Sequence, residues 1–144
     1  MQDLPHHYRT TAKAAREGTV TLAAPGLEDL VSAPPAEFGG PGDKWSPETL
    51  LTAALVDCFI LTFRAIARAS KLEWVNLTCE VVGTLDRVEK ITKFVRYDLK
   101  ANLQVSAGTD VERAKRLLER AETTCLITNS LSGESHLETE VTFV

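Results

Sequence analysis

The chain has 144 residues, a hydrophobic content of 44%, a charged content of 25% and a formal net charge of −4 at pH 7. This length is ordinary for one domain that buries its own core, and we predict a single domain over residues 1–144. The negative charge and the scattered basic residues argue against a nucleic-acid partner. No basic segment precedes an apolar stretch at the N-terminus, and three charges interrupt the longest apolar run, 50–69. We therefore expect no secretory signal, no membrane partner and a cytoplasmic protein.

The first third of the chain favours short strands followed by a loop. Residues 8–14 and 19–23 have β-type composition, and Arg16-Glu17-Gly18 lies between them as a turn signal. The segment 33–45 is too rich in proline and glycine for regular structure, and its length is typical of a functional loop.

Ser46, Pro47 and Glu48 have the residue types that begin a helix: a capping hydroxyl, a first-turn proline and a first-turn acid. The pattern predicts a helix over 46–71 that is polar only along one narrow stripe. A helix of that kind is surrounded by protein on most sides.

The remainder of the chain predicts two strands, a helix and a last strand. Residues 75–85 and 95–105 alternate between apolar and polar side chains, and 86–90 reads as a hairpin connection between them. Thr109 and Glu112 form a capping-box pattern before the second helix. With a last strand over 137–144, the fold class is α+β with mostly antiparallel sheets.

The three cysteines, Cys58, Cys79 and Cys125, lack any CxxC spacing, which excludes a disulfide-rich scaffold and a zinc cluster. Cys79 lies on the apolar face of a predicted strand, where cysteine behaves as a small hydrophobic residue. We predict that Cys79 is structural.

Cys58 and Cys125 each have two interpretations. The apolar helical neighbours of Cys58 would keep its thiol neutral, so it is a core residue unless a cation comes from elsewhere in the fold. Cys125 either ends the buried stripe of the second helix or, because polar residues flank it, lies near the surface at a helix break. Glu48 and Arg16 likewise have ordinary alternatives, as a helix-dipole partner and a turn-flanking charge.

In order along the chain, these motifs resemble the OsmC/Ohr family of organic hydroperoxide reductases. The resemblance covers nearly the whole chain and depends on Arg16-Glu17-Gly18, SPETLLTAALVDCF (46–59) and AETTCLITNSL (121–131). It implies two mostly antiparallel sheets wrapped around long central helices in an intertwined homodimer, with the sites at the subunit interface. Two positions differ from the common family pattern: Asp57 replaces a small residue and Leu126 replaces a proline.

The resemblance also implies a role for each site residue. Cys58 would be the peroxidatic thiolate and Cys125 the resolving thiol, joined in a disulfide during turnover. Arg16, or alternatively Arg9, would place a guanidinium beside Cys58, and Glu48 would hold that guanidinium in place. No metal, nucleotide or flavin cofactor is expected.

The expected substrate is an organic hydroperoxide, and the expected reductant is a dithiol, possibly lipoylated. The apolar lining of the site would come from four residues: Leu51, Leu55, Phe38 and Trp45. Two other functions stay open. One is an OsmC-fold protein that binds a small molecule or senses redox state; the other is a hot-dog-like thioesterase with Glu48 as general base.

Overall fold

A computed structural model describes all 144 residues as an α+β fold, as the sequence predicts. Along the chain the elements are β1 Thr11–Ala14, β2 Val20–Ala23, β3 Leu30–Ser32, α1 Pro47–Ala69, β4 Asn76–Val88, β5 Ile91–Val105, α2 Val111–Thr124, α3 Leu126–Asn129 and β6 Glu134–Phe143. The chain divides into two compact units, Met1–Leu51 and Thr52–Val144.

The first unit contains an antiparallel sheet in the order β1-β2-β3. Gly18, in the turn between β1 and β2, has φ of 98°, a conformation that favours glycine. The predicted loop 33–45 is irregular apart from one 3₁₀ turn, Ala36–Phe38. The sequence analysis missed β3, which has only three residues.

The start of α1 also belongs to the first unit, and it is capped by a reciprocal pair of hydrogen bonds. The Thr49 N–H donates to the Ser46 hydroxyl at 3.2 Å, and the Ser46 N–H donates to the Thr49 hydroxyl at 2.8 Å. This is a capping box with threonine in the place usually taken by glutamate, and it fixes the helix start predicted at Ser46-Pro47.

The second unit contains a sheet in the order β4-β5-β6. β4 and β5 form a long antiparallel hairpin, and its turn residues Glu89 and Lys90 have φ of 50° and 68°. β6 begins at Glu134, three residues before the predicted start at 137, and it pairs parallel to β5.

The core of the second unit combines one face of each long element. α1 contributes four side chains with no exposed surface: Leu55, Phe59, Phe63 and Ala67. The buried face of β5 consists of Tyr97, Leu99, Ala101, Leu103 and Val105. The buried face of α2 consists of Ala114, Leu118 and Ala121. The alternation predicted over 95–105 is thus confirmed.

Asp110, not Thr109, caps α2. The Asp110 carboxylate accepts the Arg113 N–H at 3.0 Å, whereas the Thr109 hydroxyl donates to the Ser106 carbonyl at 2.8 Å. The predicted capping box was wrong, because aspartate, one position later, is a stronger N-cap than threonine. The Arg113 guanidinium also donates to the Ser70 carbonyl, which joins the start of α2 to the end of α1.

One side of α1 is not covered within this chain. The helix is long and apolar enough to cross a membrane, a test that the core helix of a soluble protein also passes, and 22% of its most apolar window is buried. Ala54, Asp57, Leu61 and Ala65 lie on the exposed side, and Leu61 is 50% exposed. The sequence prediction that protein surrounds α1 on most sides is therefore not met within this chain.

Candidate thiol site

The structure brings Cys58 and Cys125 together within the second unit. Cys58 lies midway along α1, and Cys125 lies at the junction where α2 ends and α3 begins. The backbone at Cys125 is extended, with φ of −61° and ψ of 117°, so the helix breaks at this residue. The two side chains lie close enough that Cys125 lowers the pKa of Cys58 and Cys58 raises the pKa of Cys125.

The environment of Cys58 favours the thiolate. Burial alone would raise its pKa, but four hydrogen bonds oppose this effect, from the Ile127 backbone, the Cys125 thiol, the Thr62 hydroxyl and the Leu126 backbone. Their sum lowers the pKa of the Cys58 thiol below its ordinary value. A hydrogen bond to the charged form stabilises it, so these donors make Cys58 the more acidic of the two thiols.

Cys125 has the opposite character. Burial raises its pKa; hydrogen bonds from Thr128 offset part of the shift, while the hydrogen bond to Cys58 and the charge there raise it further. The predicted helix break at Cys125 is confirmed. The alternative that placed its sulfur near the surface was wrong, since Cys125 has no exposed surface.

Cys58 opens onto a groove of about 530 Å³. Its eight lining residues come from α1 and from the first turn of α3: Ala54, Asp57, Cys58, Leu61, Thr62, Ala65, Leu126 and Ile127. Asp57 is the one charged residue among them. Access to the two sulfurs is therefore unequal, because the groove reaches Cys58 whereas Cys125 is enclosed.

Sequence reasoning could find only part of this site. Thr62 is one helical turn from Cys58, so its proximity follows from spacing. The donors at Leu126 and Ile127 are backbone groups, and they become available because α3 begins at that point. A pattern of side chains in the sequence does not predict where such backbone donors will lie.

Cys79 is separate from this pair. It lies in β4, and burial raises its pKa to about 12. It is half-buried on the inward side of the strand. This agrees with a structural role.

The other predicted site residues lie mainly in the first unit. Arg16 is exposed in the turn between β1 and β2, Arg9 is exposed before β1, and Glu48 lies in the first turn of α1. The roles given to them beside Cys58 stay predictions.

The four predicted lining residues differ in exposure. Phe38 and Trp45 are 59% and 48% exposed, and Leu51 is half-buried. Leu55, in contrast, has no exposed surface and lies in the core of the second unit, so it does not line the groove beside Cys58.

The fold and the thiol pair together define a small α+β protein with two neighbouring cysteines of unequal acidity. Residues 40–140 match the family described as OsmC-like protein. The chain belongs to that family, as the resemblance in its sequence motifs indicated.

Individual relatives agree with this assignment. The chain is 26% identical over 140 residues to the uncharacterized protein YmaD of Bacillus subtilis, covering 94% of this chain and 93% of YmaD. The solved structure of an organic hydroperoxide resistance protein OsmC from Legionella pneumophila is 26% identical to this chain with a TM-score of 0.76, covering 97% of this chain and 99% of that one. An OsmC-like protein of unknown function from Vibrio cholerae has a TM-score of 0.85 at 18% identity, covering 94% and 99%, and shows the likeness in fold alone.

Proposed function

We propose that this protein is a thiol peroxidase that reduces organic hydroperoxides to alcohols. The observation that carries the proposal is the proximity of the Cys58 and Cys125 side chains, each of which shifts the pKa of the other, with the more acidic thiol on the groove and the less acidic one buried. A thiolate that a peroxide can reach, next to a second thiol, is the arrangement that a two-cysteine cycle needs.

The cycle consists of three balanced steps. The Cys58 thiolate attacks the terminal oxygen of a hydroperoxide; the O–O bond breaks, and the alkoxide takes a proton and leaves as the alcohol. The Cys125 sulfur then attacks the Cys58 sulfenic acid, forming the S–S bond and releasing water. An external dithiol reduces this disulfide by exchange and becomes a disulfide itself.

The groove favours an organic peroxide over hydrogen peroxide. Its lining is apolar except for Asp57, Thr62 and the thiol itself, and burial of an alkyl group against such walls contributes to binding. The Legionella relative is an organic hydroperoxide resistance protein, and it is similar to this chain over nearly its whole length. Arg16, with Glu48 holding its guanidinium, is proposed to add positive charge beside the thiolate.

We further propose that a second copy of the chain covers the exposed side of α1. Leu61 is half exposed on this side, and with Ala54 and Ala65 it forms an apolar stripe along α1 that includes one wall of the thiol groove. An exposed apolar helix face is typical of an interface between subunits. In the proposed homodimer the second copy packs along α1 beside the groove and leaves its mouth at Cys58 open to the peroxide and to the reductant.

Intact mass spectrometry tests the peroxidase directly. The reduced protein is titrated with cumene hydroperoxide, and the expected product has lost two hydrogens, regains them on addition of a dithiol, and appears together with one equivalent of cumyl alcohol. An unchanged mass, or an irreversible gain of two or three oxygens in the wild-type protein, contradicts the two-cysteine cycle. A Cys79→Ala variant is the matched control and is expected to give the same result.

A further inference from the structure

The two sulfurs of the proposed disulfide differ in access, and this difference determines how the oxidised protein is reduced. Cys125 has no exposed surface, whereas Cys58 lines an open groove of about 530 Å³. Thiol–disulfide exchange requires the incoming thiolate to approach one sulfur from the side opposite the bond that breaks. For Cys58 that approach comes through the groove, and for Cys125 it would have to come through the core.

We infer that the reductant attacks the sulfur of Cys58 and forms a mixed disulfide there, with Cys125 as the leaving thiol. This inference rests on the proposed function, because it describes how the Cys58–Cys125 disulfide is reopened. It assigns Cys58 a second role, as the point at which the reductant is attached.

Each step balances. The reductant thiolate forms a bond to the Cys58 sulfur, and the bond between Cys58 and Cys125 breaks. The electron pair of that bond leaves with Cys125, which takes a proton. The second thiol of the reductant then attacks the reductant's own sulfur in the mixed disulfide. Cys58 leaves as a thiolate, and the reductant departs as a disulfide.

In the first step, the acidity of the two cysteines and their accessibility favour attack on different sulfurs. A thiol of raised pKa leaves slowly, so the acidity of the two cysteines alone would favour attack on Cys125. Complete burial of that sulfur removes the competing route. Once released, Cys125 is protonated at neutral pH because its pKa is raised, so it re-forms the protein disulfide slowly.

In the second step, the acidity of the leaving thiol and the accessibility of the mixed disulfide both favour the reaction. The pKa of Cys58 is lowered, which makes Cys58 a good leaving group when the second thiol of the reductant attacks. A dithiol is therefore suited to the site, since it supplies that second thiol within the same molecule. A monothiol supplies no second thiol within the same molecule, so a limiting amount of it leaves the mixed disulfide in place long enough to be trapped.

The trapping experiment uses 2-mercaptoethanol, a small uncharged monothiol. The Cys79→Ala protein is oxidised with diamide, exposed briefly to limiting 2-mercaptoethanol and quenched with acid, and its free thiols are then alkylated with N-ethylmaleimide in guanidinium chloride near neutral pH. Trypsin separates Cys58, in residues 45–64, from Cys125, in residues 121–144. The expected result is mercaptoethanol on Cys58 and maleimide on Cys125, in roughly tenfold or greater excess over the reverse pattern.

Mercaptoethanol on Cys125, or equal labelling of both, overturns the inference. Because diamide forms the disulfide without a peroxide, this result does not depend on peroxidase activity. A protein that shows the expected labelling but consumes no hydroperoxide would instead contradict the proposed function.

A second measurement avoids the protein disulfide. Cys125→Ser and Cys58→Ser proteins, both lacking Cys79, are converted to mixed disulfides with thionitrobenzoate. Release of the coloured thiolate by 2-mercaptoethanol is expected to be about tenfold faster from Cys58 than from Cys125. Equal rates contradict the access argument.

Discussion

The side-chain oxygen of Thr62 lies 3.8 Å from the sulfur of Cys58, one helical turn further along α1. This hydroxyl is one of the groups that lower the pKa of Cys58 against the opposing effect of burial. Unlike the backbone donors from α3, it can be removed by a substitution that keeps the side-chain shape.

Thr62→Val is expected to raise the pKa of Cys58 by about half a unit to one unit, because a hydrogen bond to the charged form contributes on the order of 1 kcal/mol. The pH dependence of Cys58 alkylation by iodoacetamide measures this shift. Since a lost donor disfavours the thiolate, the midpoint must move to higher pH. Thr62→Ser keeps the hydroxyl and should titrate like wild type; a midpoint unmoved in the valine variant would remove Thr62 from the thiolate environment.

Cys58→Ser is expected to abolish hydroperoxide consumption, because the serine hydroxyl does not ionise at neutral pH and cannot attack the O–O bond. An oxidation assay with cumene hydroperoxide and a dithiol reductant measures the loss. Full retention of turnover on a thioester substrate in the same variant would instead favour the thioesterase alternative, which uses no cysteine.

Cys125→Ser should separate oxidation from resolution. The first equivalent of hydroperoxide is still consumed, but the sulfenic acid on Cys58 persists and is trapped by dimedone. Mass spectrometry of residues 45–64 detects the adduct. Prolonged exposure should add further oxygens to Cys58. If disulfide-linked dimers of the variant form as fast as the wild-type internal disulfide, Cys125 is not the resolving thiol.

Cys79 is expected to be inert in the folded protein. Burial raises the pKa of Cys79 to about 12, so its thiol is almost entirely protonated at pH 7. Iodoacetamide at neutral pH should therefore modify Cys58 first and Cys79 only after unfolding in guanidinium chloride. Labelling of Cys79 at a rate close to that of Cys58 would contradict its assignment as a structural residue.

Leu61→Glu tests the proposed homodimer. A carboxylate in the middle of the apolar stripe on α1 would be buried on association, and this costs several kcal/mol. Light scattering coupled to size-exclusion chromatography should show wild-type dimers and monomeric variant. Val75→Glu, at a residue 55% exposed and outside the helix, is the control and should stay dimeric. A wild-type protein that remains monomeric at high concentration would contradict the proposed homodimer.

Local patterns were sufficient to predict the long elements. The predicted helix over 46–71 and the observed Pro47–Ala69 differ by one residue at the start and two at the end, because proline and a capping hydroxyl mark the beginning. The alternation over 95–105 identified the buried face of β5, since one side of a strand repeats every second residue.

Features that depend on tertiary structure were not predictable in this way. The parallel pairing of β6 with β5 depends on the path of the chain through α2, which no local pattern contains. The environment of Cys58 likewise depends on where α3 begins, because backbone groups supply two of its hydrogen bonds. The family resemblance identified the two cysteines but not these donors.

The position of Cys125 at the end of one helix and the start of the next has a mechanical consequence. Formation of the proposed Cys58–Cys125 disulfide would displace Cys125, and α3, which begins at the next residue, is only four residues long. Oxidation is therefore expected to loosen residues 126–129 while leaving the long helix that holds Cys58 in place. Amide hydrogen exchange in residues 126–129 is therefore expected to be faster in the oxidised protein than in the reduced protein, and unchanged elsewhere.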